Sequence, residues 1–365
     1  MGAMRATLDV AAERLRHQRL MRTRLGDPAG VVRWLGAVQA QEYPSAKWGL
    51  GLRGTGFGDA DVEAAFTRGA ILRTHLLRPT WHFVTDADIR WMLALTGPRV
   101  QAVCASYYRK MEIDRPLFAR SEKAIERALR DGRSLTRPEL GDVLGRAGIE
   151  ARTQRLGFFM IHAELEGVIC SGPRRGKAFT YALLEERVPV ATRLSADEAL
   201  AELTRRYFAS HGPATVRDFS WWSGLTKGAI RRGIETLGRE ISSAEVDGLT
   251  LWFTERSSPR QPARPSAHLL PIYDEFLIAY QDRVFLRRES STQGIYGRDG
   301  LNHYLIVDGR LAGSWKRLDR GDAVSVTIAL AGRMSPPEME AVRSAAKQFE
   351  QFVGVPVTVS ISPPR

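Results

Sequence analysis

An α+β fold of tandem winged helix-turn-helix units, about three in all and followed by a C-terminal α/β segment, is predicted by three observations. The order helix, helix, turn, helix, hairpin occurs twice, over 118–184 and 194–254. Each copy closes on a pair of short alternating stretches, the second joined by Asp247-Gly248, a strong two-residue hairpin signal. The 365 residues give enough chain for several such units.

The units read in order as follows. Residues 1–117 form a diverged first copy, with helices expected at 8–24, 28–38 and 60–68 and strand material over 71–84. The glycines of 49–52 and 54–58 read there as a flexible connection. Residues 118–190 form the second unit. Its helices are expected at 121–130, 134–146 (with Pro138 and Glu139 near its start) and 153–167. Its wing strands are expected at 168–171 and 178–183, around the tip Gly172-Pro-Arg-Arg-Gly-Lys177. Residues 191–256 form the third unit, with helices at 197–209, 215–223 and 226–237 and wing strands at 240–246 and 249–254. Residues 257–365 differ. A proline-containing linker or exposed loop at 257–266 leads to apolar alternation over 269–286 and 301–315, a turn at Asp308-Gly309, a helix from about 335 and a last strand at 355–361.

The chain holds 53 Lys and Arg against 41 Asp and Glu, a net charge of +12, and only seven of the cations are lysines. Codon bias explains much of the arginine preference but not the excess of base over acid. A positive field raises encounter rates with polyanions, and arginine forks suit phosphate. Lys227, Arg231 and Arg232 share one side of the third helix of the third unit, and Arg174, Arg175 and Lys177 crowd the wing of the second. A solvated charged face is the plain alternative for either patch alone. Their recurrence in DNA-facing elements favours DNA binding. Cys104 and Cys170 are the two cysteines, which argues for a reducing, cytoplasmic setting and against a disulfide scaffold. No long apolar run or leader-like segment occurs, so no membrane partner is expected.

Neither the seven histidines nor the cysteines have metal-ligand spacing, no phosphate-binding glycine loop occurs, and no nucleophile elbow is found, so no metal or cofactor is expected. The unusual stretch is Leu35-Gly-Ala-Val-Gln-Ala-Gln-Glu-Tyr-Pro44. Gln39 and Gln41 point to one side if the backbone is extended and to different sides on a helix. By residue chemistry alone, such glutamines are ordinarily solvated at a helix end.

Four segments occur in order: Gln39-Ala-Gln41, Leu76-Leu-Arg-Pro-Thr-Trp-His82, Leu269-Leu-Pro-Ile-Tyr-Asp-Glu-Phe-Leu-Ile-Ala-Tyr280 and Val307-Asp-Gly-Arg-Leu-Ala-Gly-Ser-Trp315. Together they resemble the winged-helix DNA glycosylase family of AlkZ and YcaQ, over about residues 8 to 360. The second segment departs from the family in carrying Arg-Pro-Thr where glycine is more usual at its second position. The resemblance implies tandem winged helices around a concave DNA-binding channel and excision of N7-alkylated purines, with interstrand crosslinks unhooked by several members. The Gln-x-Gln signature places the chain with the AlkZ branch, which includes self-resistance enzymes of antibiotic producers, and makes Gln39 and Gln41 the catalytic residues. Arg78 and His82 are assigned to the DNA side, His82 as a structural or DNA-facing residue rather than a base.

Neutral amides suit this chemistry. An N7-alkylated guanine is already cationic and leaves without an added proton, so what remains is to place a water beside an electron-poor sugar. Asp274 stays open between chemistry and structure. Glu275 reads as structural, capping backbone or pairing with Arg283. Trp221 and Trp222 are assigned to the core and Lys47 to the surface. The expected partner is double-stranded DNA carrying alkylated purines, bound by a monomer. A DNA-binding regulator without chemistry is the alternative, but it would leave Gln-x-Gln without a task.

Overall fold

The computed structural model describes residues 8–21, 24–188, 193–254, 265–281, 284–286 and 302–364. Helix α1 (Val10–His17) precedes a first set of elements: α2 (Pro28–Leu35), β1 (Val38–Gln39), α3 (Tyr43–Arg53), α4 (Asp59–Thr67), β2 (Ile71–His75) and β3 (Trp81–Thr85). The three strands form one sheet in the order β1-β3-β2. After α5 (Asp86–Lys110) the same order returns: α6 (Arg115–Leu129), β4 (Leu135–Thr136), α7 (Arg137–Arg146), α8 (Thr153–Leu165), β5 (Ile169–Ser171) and β6 (Thr180–Leu183). Its sheet order is β4-β6-β5, the same pattern as before. Beyond α9 (Leu184–Arg187) come α10 (Ala196–His211), α11 (Val216–Ser223), α12 (Lys227–Leu237), β7 (Ser242–Val246) and β8 (Leu249–Phe253). Ala214 bridges Trp252 of β8, so a single residue stands where the other two sets have a first strand.

Local chemistry explains the boundaries. Thr136 with Glu139, Ser195 with Glu198 and Thr215 with Asp218 form reciprocal capping boxes at the starts of α7, α10 and α11. Gly224 ends α11 at φ 73°, where a side chain on a left-handed backbone would be strained. The hairpin tip Asp247-Gly248 has φ of 50° and 74°, the positive pair that a tight two-residue turn demands. On α12 the buried Ile230, Gly233, Ile234 and Leu237 follow helical spacing, which leaves Lys227, Arg231 and Arg232 on the exposed side.

The C-terminal part contains β9 (Ala267–Leu270), α13 (Glu275–Ile278), β10 (Tyr304–Val307), β11 (Arg310–Arg320), β12 (Ala323–Leu330), α14 (Pro336–Val353) and β13 (Val357–Ser362). They make a five-stranded sheet in the order β13-β12-β11-β10-β9, antiparallel except for the parallel β12–β13 pair. One apolar core joins this sheet and α14 to α2, α3 and α4, and a second lies under the other two sets and α5. The architecture is therefore mixed α+β.

Several expectations need correction. Residues 49–53 are not a flexible connection but the buried end of α3. A Cβ on Gly51 would come within 2.4 Å of the Phe352 ring, so glycine there permits the close packing of α3 on α14. The first helix is shorter than expected, and the 25-residue α5 occupies a stretch to which the sequence assigned no element. Trp222 is in the core, but Trp221 is 48% exposed. Lys47 is buried, not a surface residue. The expected linker falls almost wholly outside the described residues, as does Arg283. No helix among the described residues is long and apolar enough to cross a membrane.

Candidate active site around Gln39

Gln39 ends β1, facing His82 across the ladder to β3. The strand is so short that its neighbours must fix it, and they do so from both sides. The Gln39 backbone N–H donates to Oε1 of Glu275 at 2.8 Å, and its side-chain Oε1 accepts from Nη2 of Arg78 at 2.7 Å. Arg78 lies on the connection between β2 and β3, and its Nη1 donates to the carbonyls of Trp221 and Trp222, both at 3.2 Å. Those carbonyls end α11, where the last helical carbonyls lack intrahelical partners and attract a cation.

Glu275 begins α13 and is 1% exposed. Besides Gln39, its carboxylate accepts from Nε1 of Trp222 at 2.8 Å and has Nε2 of His211 at 3.5 Å. Burial alone would raise this carboxyl, but His211, the Gln39 N–H and the Trp222 indole outweigh it and hold the pKa below the usual range. Burial lowers the pKa of His211.

Asp274 takes the opposite direction. Its two oxygens each meet one Arg53 nitrogen at 2.8 Å, both side chains are 1% exposed, and it also caps Phe276 N–H. Arg53 goes on to Gln18 at 2.6 Å, Gln18 donates to the Tyr280 hydroxyl at 3.1 Å, and Tyr280 donates to the His211 carbonyl at 2.8 Å. Both Asp274 oxygens are thus engaged by Arg53 and the Phe276 N–H, away from solvent. Glu275 does cap backbone as expected, but the backbone is that of Gln39.

Gln41 is exposed two residues on, and among the described residues its Oε1 has a single 3.4 Å contact, from Trp81 N–H. His82, expected at the DNA side, is instead 1% exposed, and burial together with the Arg78 charge pushes its pKa down to about 3. In this conformation it has no surface to offer a phosphate. Lys47 is held by Asp59 at 2.7 Å and Glu63 at 3.2 Å.

The expected DNA-facing cations divide. Arg174 pairs with Glu63 at 3.1 Å and lies over the Tyr43 and Phe179 rings, while Arg175 pairs with Glu139 at 2.8 Å. Lys177 is exposed. Lys227, Arg231 and Arg232 are exposed with no carboxylate partner shown among the described residues. Lys227 and Arg231 line a cleft of about 540 Å³ between α11, α12 and the β7–β8 hairpin, with Arg217 and Trp252 on its other walls. No group of three or more His, Cys, Asp or Glu among the described residues is placed to hold a metal ion.

The site thus draws one residue from each of three sequence segments: Gln39, Arg78 and Glu275. The fourth segment forms the turn from β10 into β11 and the first half of β11, and its Trp315 donates to the Leu270 carbonyl of the third segment at 2.8 Å. The model of the AlkZ-like DNA glycosylase family matches residues 32–352. The chain belongs to this family. Its relatives include the interstrand DNA cross-link repair glycosylase of Streptomyces sahachiroi, 25% identical over 328 residues that cover 85% of this chain and 88% of that protein. The solved structure of the DNA glycosylase AlkZ of the same organism superposes with a TM-score of 0.80 at 23% identity, covering 98% of this chain and all of that one. The protein is therefore an enzyme, a DNA glycosylase, and the regulator reading finds no support in the AlkZ-like likeness.

Proposed function

We propose that this AlkZ-like glycosylase hydrolyses the N-glycosidic bond of N7-alkylated purines in duplex DNA, with Gln39 and Gln41 as the catalytic pair. The observation that carries the reading is the fixed amide of Gln39 beside the exposed amide of Gln41, with Glu275 and Asp274 both occupied behind them. A site that offers amides rather than a free acid suits a base that is already cationic. The glycosidic bond breaks and its electron pair leaves with the base, which departs neutral. A water oxygen bonds to the sugar carbon, and its surplus proton passes to solvent. Preorganised amide dipoles hold that water beside the electron-poor sugar.

The three repeats are read as winged-helix units lining a concave DNA channel, bounded near 117, 190 and 256. Lys227, Arg231, Arg232 and Lys177 contact phosphate, and the chain acts as a cytoplasmic monomer. The repeated strand order supports the unit assignment. Interstrand crosslinks are included among the substrates, which the name of the Streptomyces relative supports, and bulky adducts and a self-resistance role belong to the same reading. Because Lys47 is held between two carboxylates, no Schiff base forms on it and borohydride trapping yields no covalent product. The test is incubation with duplex DNA carrying one N7-methylguanine, followed by alkali. Release of free base with later strand cleavage is expected; DNA that is bound but intact would refute the reading.

A further inference from the structure

Arg78 joins three parts of the molecule at Gln39. Its Nη2 meets the Gln39 side-chain oxygen at 2.7 Å, and its Nη1 meets the two carbonyls at the end of α11 at 3.2 Å each. An arginine carries only donors. The contact therefore fixes the sense of the Gln39 amide, with the oxygen toward the guanidinium and the NH2 away from it. The circuit then closes: Trp222 donates its indole N–H to Glu275, and Glu275 accepts the backbone N–H of Gln39. Its members come from β1, the β2–β3 connection, α11 and α13, so no single repeat sets the position of Gln39.

We propose that Arg78 is a positioning residue for base excision and not a phosphate contact. It holds Gln39 with the NH2 end offered to the substrate and leaves the accepting role toward the water to Gln41. Gln41 suits that role because it is exposed and, among the described residues, its carbonyl has only the long Trp81 contact to give up. A planar fork reaches acceptors on two sides at once, which a lysine ammonium on a flexible stem does not reproduce. This inference rests on the reading of Gln39 and Gln41 as the reacting amides.

The test compares wild type, Arg78→Lys and Arg78→Met, with melting curves to confirm folding. Two quantities are read: single-turnover release of N7-methylguanine at saturating enzyme, and duplex affinity over a salt series. Both variants should lose on the order of 10- to 100-fold in saturated rate, below the 10²–10³ typical of deleting a preorganised dipole outright. Their salt slopes should match wild type, and Lys should not rescue. The opposite pattern overturns the proposal: an intact saturated rate, a slope flatter by about 0.9, as for one lost phosphate contact, and rescue by Lys. If wild type itself releases no N7-methylguanine, the lesion reading fails separately. The role of Arg78 is then decided by the side-chain NH2 signals of Gln39 in protein labelled with ¹⁵N-glutamine. A dispersed pair that collapses toward solvent-like positions in Arg78→Lys supports it, and an unchanged pair overturns it.

Discussion

The first and third repeats share an element order and differ in where their polar side chains point. In the first, the third helix α4 begins Asp59-Ala-Asp61-Val-Glu63, and Asp59 and Glu63 bind Lys47 and Arg174 from within the molecule. In the third, the equivalent helix α12 presents Lys227, Arg231 and Arg232 to solvent. One scaffold thus serves two purposes. The third repeat presents an exposed cationic face, whereas the first keeps its charges in internal pairs and holds Gln39 at the end of its shortest strand. Neighbours explain the difference. The first repeat packs on the C-terminal sheet, and Asp274 and Glu275 at the start of α13 anchor it at Arg53 and Gln39, while among the described residues β7 of the third has an open edge.

The largest effect expected from this contrast is on stability. Asp274→Ala leaves the buried Arg53 without its carboxylate, and breaking such a pair typically costs about 3–5 kcal/mol. Urea unfolding measures it, and the molecules that remain folded should still excise base. Unchanged stability with lost chemistry would return Asp274 to the site. Next comes α12. Lys227→Ala/Arg231→Ala/Arg232→Ala should leave the fold intact and flatten the salt dependence of DNA binding by up to about 2.7, at about 0.9 per phosphate. An unaltered slope would remove α12 from the DNA face.

Acid sensitivity should come from buried histidines. His82 and His268 are both pushed down to about 3, chiefly by burial. The unfolded chain binds their protons below about 6.5 and the folded chain does not until about pH 3. Stability is therefore fully present above about 6.5 and declines as pH falls toward 3, by up to about 1.4 kcal/mol per pH unit for each. Melting of His82→Gln/His268→Gln from pH 7 to 4 should show a shallower decline than wild type; an identical decline would place the acid lability elsewhere. The smallest effect belongs to the second repeat's connection. Arg174→Ala should cost under about 1 kcal/mol in stability and leave the salt slope unchanged, because that cation already has Glu63. A slope reduced as much as by Lys227→Ala would mean that DNA displaces Glu63.

Local chemistry was legible in the sequence. Asp-Gly at 247–248 predicted a hairpin and at 308–309 a turn, both pairs take positive φ, and Pro138 with Glu139 marked the start of α7. Two adjacent acids were not: nothing in Asp274-Glu275 says that one faces Arg53, 221 residues away, and the other Gln39, 236 away. Glycines at 49 and 51 weaken helix propensity, yet α3 forms because Gly51 lets it meet Phe352. Charge counts showed cations on both α12 and the 172–177 connection but not the carboxylates Glu63 and Glu139 that neutralise two of them. The four ordered segments contain Gln39, Arg78 and Glu275, but that one buried network joins these three is visible only in side-chain direction.

The central claim is that two neutral amides perform the excision. It is tested most directly by single-turnover release of N7-methylguanine from duplex DNA by wild type, Gln39→Ala, Gln41→Ala and the double variant, with DNA binding and melting measured on the same samples. Each single change should slow release by up to the order of 10²–10³, and the double variant should be slower than either but less than additive, since the two amides act as a unit in one step. DNA affinity should hardly move, and melting should fall more in Gln39→Ala than in Gln41→Ala, because the former leaves an Arg78 nitrogen without its acceptor. A double variant that binds DNA and releases base at the wild-type rate would contradict the account.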